Sequence, residues 1–206
     1  MRLKTRDEVR QTFLHSHDLN DSGQRIWVYF GGSNTEYFEK ALPKFLEFVG
    51  EASDNKDFSN MIIVMQKHPT TKDKNVEDRL VKEIAFVKPH HAPSFIISDF
   101  TSDEAQVMAD AALFYQTSMA PQFVLAGIPV MQIGHETYAD VLVRNNLCTS
   151  VTSAPALIET LDQILKDASE KNVEAHKRIE EGLGIQANWK ENLINSLDSL
   201  LRQKKE

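Results

Sequence analysis

A lone cysteine, Cys148, is the whole thiol content of the chain. One thiol cannot close an internal disulfide. Set in an apolar, strand-like segment, it fits a reducing compartment and a buried side chain better than a disulfide scaffold or a catalytic nucleophile. Positive charge is also in deficit. The chain carries 23 Lys and Arg against 30 Asp and Glu, a net charge of -7. Because the basic residues are scattered among acidic ones, no stripe exists to neutralise a run of phosphates, and nucleic acid is excluded as the expected partner. No apolar run approaches the roughly 20 residues that a transmembrane helix needs. Met1 opens a charged segment, MRLKTRDEVR, instead of an apolar leader. The chain is therefore expected to be soluble and cytoplasmic, with no transmembrane segment. Low-complexity tracts and fixed-period repeats are absent as well.

What remains is an ordinary globular composition, 41% apolar and 26% charged over 206 residues. That is enough chain for one sizeable domain with a real core. Short apolar segments alternate with helix-like ones, which predicts an α/β fold built on a largely parallel sheet. Six strands are expected, at Arg25–Phe30, Met61–Met65, Ser94–Ser98, Ala112–Tyr115, Pro129–Ile133 and Cys148–Val151. Right-handed crossovers in a doubly wound arrangement give the order 3-2-1-4-5-6. Helices are expected over Thr5–Leu14, from Tyr37 to Val49 with an interruption or kink at Pro43, and over Val76–Phe86, Asp103–Ala109, Pro121–Ala126 and Tyr138–Asn145. A further helix opens at Ser153 or Ala154, with Pro155 in its first turn, and runs to about Asp167. The organisation expected is an N-terminal helix and lead-in over 1–24, a Rossmann-like domain over 25–168, and C-terminal helices over 169–206. In the last of these, Ile185, Trp189, Leu193, Leu197 and Leu201 recur at four-residue steps as one apolar stripe.

In an open parallel sheet, ligands gather beyond the carboxyl ends of the strands, where the strand order reverses. That rule selects loops. After the first strand comes GGSNT, where Gly31 and Gly32 allow close backbone approach and Ser33 precedes a helix start able to face a phosphate. A tight turn with a Ser or Asn cap explains the same residues equally well. The loop lacks both the Gly-X-Gly-X-X-Gly spacing and a P-loop lysine, which disfavours NAD enzymes and P-loop nucleotidases. After the second strand, His68 could donate to a phosphate or sugar, or could sit in a Pro-punctuated surface turn. After the third, Thr101 or Ser102 can cap a helix with Glu104 in its first turn. His15 and His17 lie in a polar loop without further ligands, and no metal site is expected there.

The stretch ADAALFYQTSMAPQFVLAGIPVMQIG, together with the strand-Gly-Gly and strand-His-Pro patterns, resembles the C-terminal nucleotide-sugar-binding domain of GT-B glycosyltransferases and the related UDP-GlcNAc 2-epimerases. Asp110, Ser118, Gly127, Pro129 and Val130 fit that layout. The resemblance implies half of a GT-B fold that binds a nucleotide-sugar, a UDP-sugar foremost, as substrate and needs no other cofactor. Thr117 and Ser118 would then meet the donor diphosphate. Gln122 would stand where many members carry a ribose-binding Glu. His135 and Glu136, after the fifth strand, would reach sugar or ribose, although both also suit a helix start. The resemblance identifies no catalytic base. It also implies an absent acceptor domain, so the chain is expected to pair with an N-terminal domain, a partner subunit or a second copy of itself. The competing reading is a non-catalytic Rossmann-like domain that binds a partner protein or nucleotide.

Overall fold

Strand β1 (Arg25–Phe30) is apolar almost throughout and buried along its whole length past Arg25. Such a run, without the polar alternation of a half-exposed strand, requires cover on both faces of the sheet. The computed structural model, which describes residues 5–19, 23–52, 61–66, 68, 79, 82, 94–98, 101–133 and 139–167, supplies that cover. Helix α1 (Arg6–Ser16) precedes β1, and a π-helical turn at Tyr37–Ala41 runs directly into α2 (Leu42–Ala52). Strands β2 (Met61–Gln66) and β3 (Ser94–Ser98) follow, then α3 (Ser102–Met108) and β4 (Ala111–Phe114). Helix α4 (Ala120–Leu125), β5 (Val130–Ile133), α5 (Val141–Arg144), β6 (Thr149–Val151) and α6 (Ala154–Asp167) complete the described chain. Of the helix expected over Val76–Phe86 only Arg79 and Lys82 are described, both helical, and the apolar stripe from Ile185 to Leu201 lies outside the described residues.

All six strands form one parallel sheet in the order β3-β2-β1-β4-β5-β6. This is the expected doubly wound, Rossmann-like arrangement. The side-chain period of two sorts each strand onto two cores. Trp27, Tyr29, Ile63, Leu113 and Met131 face the π-turn, α2 and α6. Ile26, Val28, Val64, Ala112 and Val130 face α1, α3, α4 and α5.

Local chemistry sets the element boundaries. Thr5 and Thr101 each close a reciprocal capping box, with Glu8 and Glu104 respectively, so Thr101 is fully used in starting α3. Gly127 adopts φ +73°, and its amide and that of Ile128 donate to Val124 and Phe123, a Schellman ending that turns α4 sharply into β5. The interruption expected at Pro43 takes the form of a change of helix type just before it. The preceding turn widens, with the Leu42 amide reaching the carbonyl of Tyr37 five residues back. That π-turn leads into the proline, which sits in the first turn of α2, where its missing N–H costs little.

At the amino edge of the sheet, Asp110 joins three elements. Its Oδ2 accepts the Ile26 amide at 2.8 Å, its own amide donates to the Ile26 carbonyl at 2.8 Å, and Arg6 and Arg10 of α1 pair with its carboxylate. Arg10, 9% exposed, also donates to the Gln24 carbonyl. The lead-in helix is thus clamped to β1 and β4.

Candidate functional site

The reversal of strand order falls between β1 and β4, since β2 and β3 lie on one side of that pair and β5 and β6 on the other. In a wholly parallel sheet the segments after these two strands leave the same edge, so Gly31–Ser33 and Thr117–Ser118 both lie at the carboxyl edge beside the switch point. His68 belongs to that edge too. Phe30 pairs with Gln66, and His68 follows two residues on, half-buried. Asp110 sits at the opposite edge, where it is a structural clamp. His135 and Glu136 lie outside the described residues.

Close contact within the protein explains the two glycines. A Cβ on Gly31 would come 2.2 Å from Oη and 2.4 Å from Cζ of Tyr37. A Cβ on Gly32 would come 3.0 Å from Cβ of Tyr37 and 3.1 Å from Cδ1 of Tyr115. Both glycines are buried, and the ring of Tyr37 fills the space they leave. The turn is also capped from within, because Asn34 Oδ1 accepts the Tyr37 amide at 2.8 Å. The tight-turn explanation of GGSNT therefore holds at these atoms, with Asn34 as the capping side chain. Ser33 is exposed.

On the β4 side, Thr117 Oγ1 accepts the Met119 amide at 3.1 Å, an internal turn bond, while Ser118 stands exposed. The N-cap position of α4, Met119, offers no side-chain acceptor. Gln122 is exposed on α4, whose inward face is Ala120, Phe123 and Val124. Its carbonyl accepts from Gln106 Nε2 of α3 at 3.0 Å, and its side chain has no described partner at the switch point.

Residues not proposed for the site from the sequence, among them Tyr37, Tyr115 and Gln132, pack around the switch point. Tyr115 and Tyr37 pack with ring centroids 5.6 Å apart, and Tyr37 in turn neighbours Tyr29 at 6.4 Å. Burial first, then the charge of the Glu36 carboxylate, raises the Tyr115 phenol above its ordinary pKa of 10.0, so it stays protonated at neutral pH. Glu36 itself is an exposed side chain just ahead of the π-turn. One strand further, Gln132 is completely buried on β5. Its Nε2 donates to the Tyr115 carbonyl at 3.4 Å, and its Oε1 accepts the Asp140 amide at 3.0 Å. An apolar strand with one interior Gln was the available signal, since a buried amide needs partners. Cys148 is half-buried nearby, and burial, followed by Asp140, pushes its thiol up to about 12. A thiol so protonated is no nucleophile at neutral pH. Among the described residues no group of three His, Cys, Asp or Glu side chains could hold a metal ion.

No family model matches the chain, and no curated protein matches it in sequence. Among solved structures, a glycosyltransferase from Rickettsia africae ESF-5 aligns with 87% of this chain and 48% of its own, with TM-score 0.60 and 15% identity. A Listeria monocytogenes protein assigned as a UDP-N-acetylglucosamine 2-epimerase aligns with 74% of this chain and 40% of its own, with TM-score 0.48 and 13% identity. The likeness to the glycosyltransferase shows that the fold is GT-B-like, and the chain spans about half of that protein's length.

Proposed function

We propose that the chain is the donor-binding half of a glycosyltransferase or related sugar-nucleotide enzyme, holding an NDP-sugar, a UDP-sugar foremost, at the carboxyl edge of its sheet. One observation carries the reading: the strand order reverses between β1 and β4, and the Gly31–Ser33 and Thr117–Ser118 segments flank that point. The likeness to half of a glycosyltransferase structure supports it at the level of fold. In this reading the diphosphate lies over the Thr117–Ser118 turn, where Ser118 donates from an exposed hydroxyl. Preorganised donors at that position would stabilise charge developing on a leaving diphosphate. The acceptor side of the cleft would come from a further domain, a partner subunit or a second copy.

A specific feature favours a second reading, a non-catalytic Rossmann-like domain: the QTSMAPQ turn contains no Lys or Arg to neutralise a diphosphate. Calorimetric titration with UDP, GDP, CDP and ADP and their glucose or N-acetylglucosamine conjugates separates the two. Saturable binding of one base series, with the sugar conjugate bound at least as tightly as the diphosphate, is the outcome expected of a donor site. Absence of binding across the whole panel refutes it and leaves the non-catalytic domain.

A further inference from the structure

Tyr115, through which the chain leaves β4 for the Thr117–Ser118 turn, is held from both neighbouring strands. On one side its amide donates to the Phe30 carbonyl of β1 at 3.0 Å, which extends the backbone ladder. On the other side strand pairing stops at Phe114 and Gln132, and a side chain takes over: Nε2 of Gln132 donates to the Tyr115 carbonyl at 3.4 Å. The other end of that amide is used as well. Its Oε1 accepts the Asp140 amide at 3.0 Å, and Asp140 Oδ1 accepts the Leu142 amide at 2.9 Å to start α5. Gln132 is 0% exposed, so both bonds form away from water, where they are strong and their loss is felt. For packing alone, a Met of similar size would fill the same space with no amide to satisfy.

The β1 side of the switch point offers a diphosphate little. Gly31 and Gly32 are buried, the Tyr37 ring fills the room beside them, and Asn34 Oδ1 already takes the Tyr37 amide. The β4 side has the exposed Ser118 hydroxyl, in a turn braced from within by Thr117 Oγ1 on the Met119 amide. The direction in which the chain leaves Tyr115 therefore sets where that hydroxyl stands. We propose that Gln132 is a positioning residue for the donor site: its hold on the Tyr115 carbonyl fixes the turn that presents Ser118 to the diphosphate of the ligand. This rests on the donor-site reading above.

The probe is UDP, or whichever nucleoside diphosphate of the panel binds, titrated calorimetrically into the full chain and its variants. Gln132→Met keeps the side-chain length and removes both bonds, and it should weaken binding about fivefold, the effect of one misplaced hydrogen bond. Asp110→Ala is the control. It should lose similar stability in urea, but its clamp lies at the far edge of the sheet and its affinity should stay at the wild-type value. Because Gln132 acts through the turn, Ser118→Ala should cost less affinity in the Gln132→Met background than in the wild type. Gln132→Glu adds a readout that a merely structural role would not move. A protonated carboxyl reproduces the amide, donating to the Tyr115 carbonyl and accepting from the Asp140 amide, whereas the ionised form sets two acceptors against each other. Its affinity relative to wild type at the same pH should be highest at about pH 5 and fall toward about pH 10 as the buried carboxyl ionises. Should Gln132→Met not fold, this pH series decides alone. The proposal is overturned by an unchanged affinity in folded Gln132→Met, by an equal loss in Asp110→Ala, by additive losses with Ser118→Ala, or by a level ratio for Gln132→Glu. Each of these leaves the donor-site reading standing, whereas a wild-type chain that binds no diphosphate refutes that reading and this one with it.

Discussion

Replacing Gly31 with alanine adds one methyl group at a place where the fold has no room. The new Cβ would lie 2.2 Å from Tyr37 Oη and 2.4 Å from Cζ, so the ring must retreat by roughly 1 Å to restore van der Waals contact. It has nowhere to go. Tyr37 is 0% exposed, flanked by Tyr115 at 5.6 Å, Phe38 at 4.8 Å and Tyr29 at 6.4 Å. Gly31 is not among the described glycines with positive φ, so alanine meets no backbone penalty and the whole cost is steric. Overpacking of this kind costs about 3 kcal/mol. For a chain of 206 residues that lowers Tm by roughly 6 to 12 °C. Thermal and urea denaturation followed by circular dichroism would measure it, with a double-mutant cycle as the decisive step. Tyr37→Ala alone should cost about 3 to 5 kcal/mol, but in its background Gly31→Ala should cost almost nothing, a coupling of about 2 to 3 kcal/mol. Additive losses, or an unchanged Tm for Gly31→Ala, would refute the claim that the glycine exists to admit the tyrosine ring.

Asp110→Ala should destabilise by about 2 kcal/mol in urea titration, chiefly through the orphaned Ile26 amide and the nearly buried Arg10, with little from half-exposed Arg6; nucleotide affinity should not change, because this clamp is at the far edge. Gln132→Met strips the Asp140 amide and the Tyr115 carbonyl of their partner and should cost about 2 kcal/mol, whereas a loss below about 0.5 kcal/mol would show that water replaces it. The Cys148 thiol, at about 12 against an ordinary 9.0, has a thiolate fraction at pH 8 about a thousandfold below that of the unfolded chain. Because a higher pKa also makes the thiolate more nucleophilic, labelling with a disulfide reagent should be on the order of fiftyfold slower in the folded protein than in urea. By linkage, the same thiol contributes stability that is present below pH 9 and lost as pH rises toward 12, since the unfolded chain ionises first. At the proposed donor site, Ser118→Ala should weaken nucleoside diphosphate binding by about 1 kcal/mol in calorimetry, and Gln122→Glu should strengthen it; two unchanged affinities in folded variants would remove both residues from the pocket.

The strands were legible because their signal is local. Doubly buried segments such as RIWVYF and MIIVMQ read as continuous apolar runs whatever they pack against, and their ends fell within a residue or so of the observed ones. The sheet order followed from alternation plus the handedness of crossovers, which holds for any sequence that alternates in this way. Caps were legible for the same reason: Thr101 and Glu104 stand three residues apart, and the helix start needs nothing else. Partnership across the chain was not legible. Nothing near Gly31 in the sequence says that the nearest atoms to a side chain there would belong to Tyr37, and nothing near Asp110 says that its carboxylate reaches back 84 residues to Ile26 and 100 to Arg10. Likewise, Gln132 reads as a lone polar residue in an apolar strand until the Tyr115 carbonyl and the Asp140 amide are brought to its side chain. Periodicity records how much of each residue is buried, a property of one segment. Which groups meet is settled only when separate segments are packed against one another, and the roles of Gly31, Asp110 and Gln132 depend on those meetings.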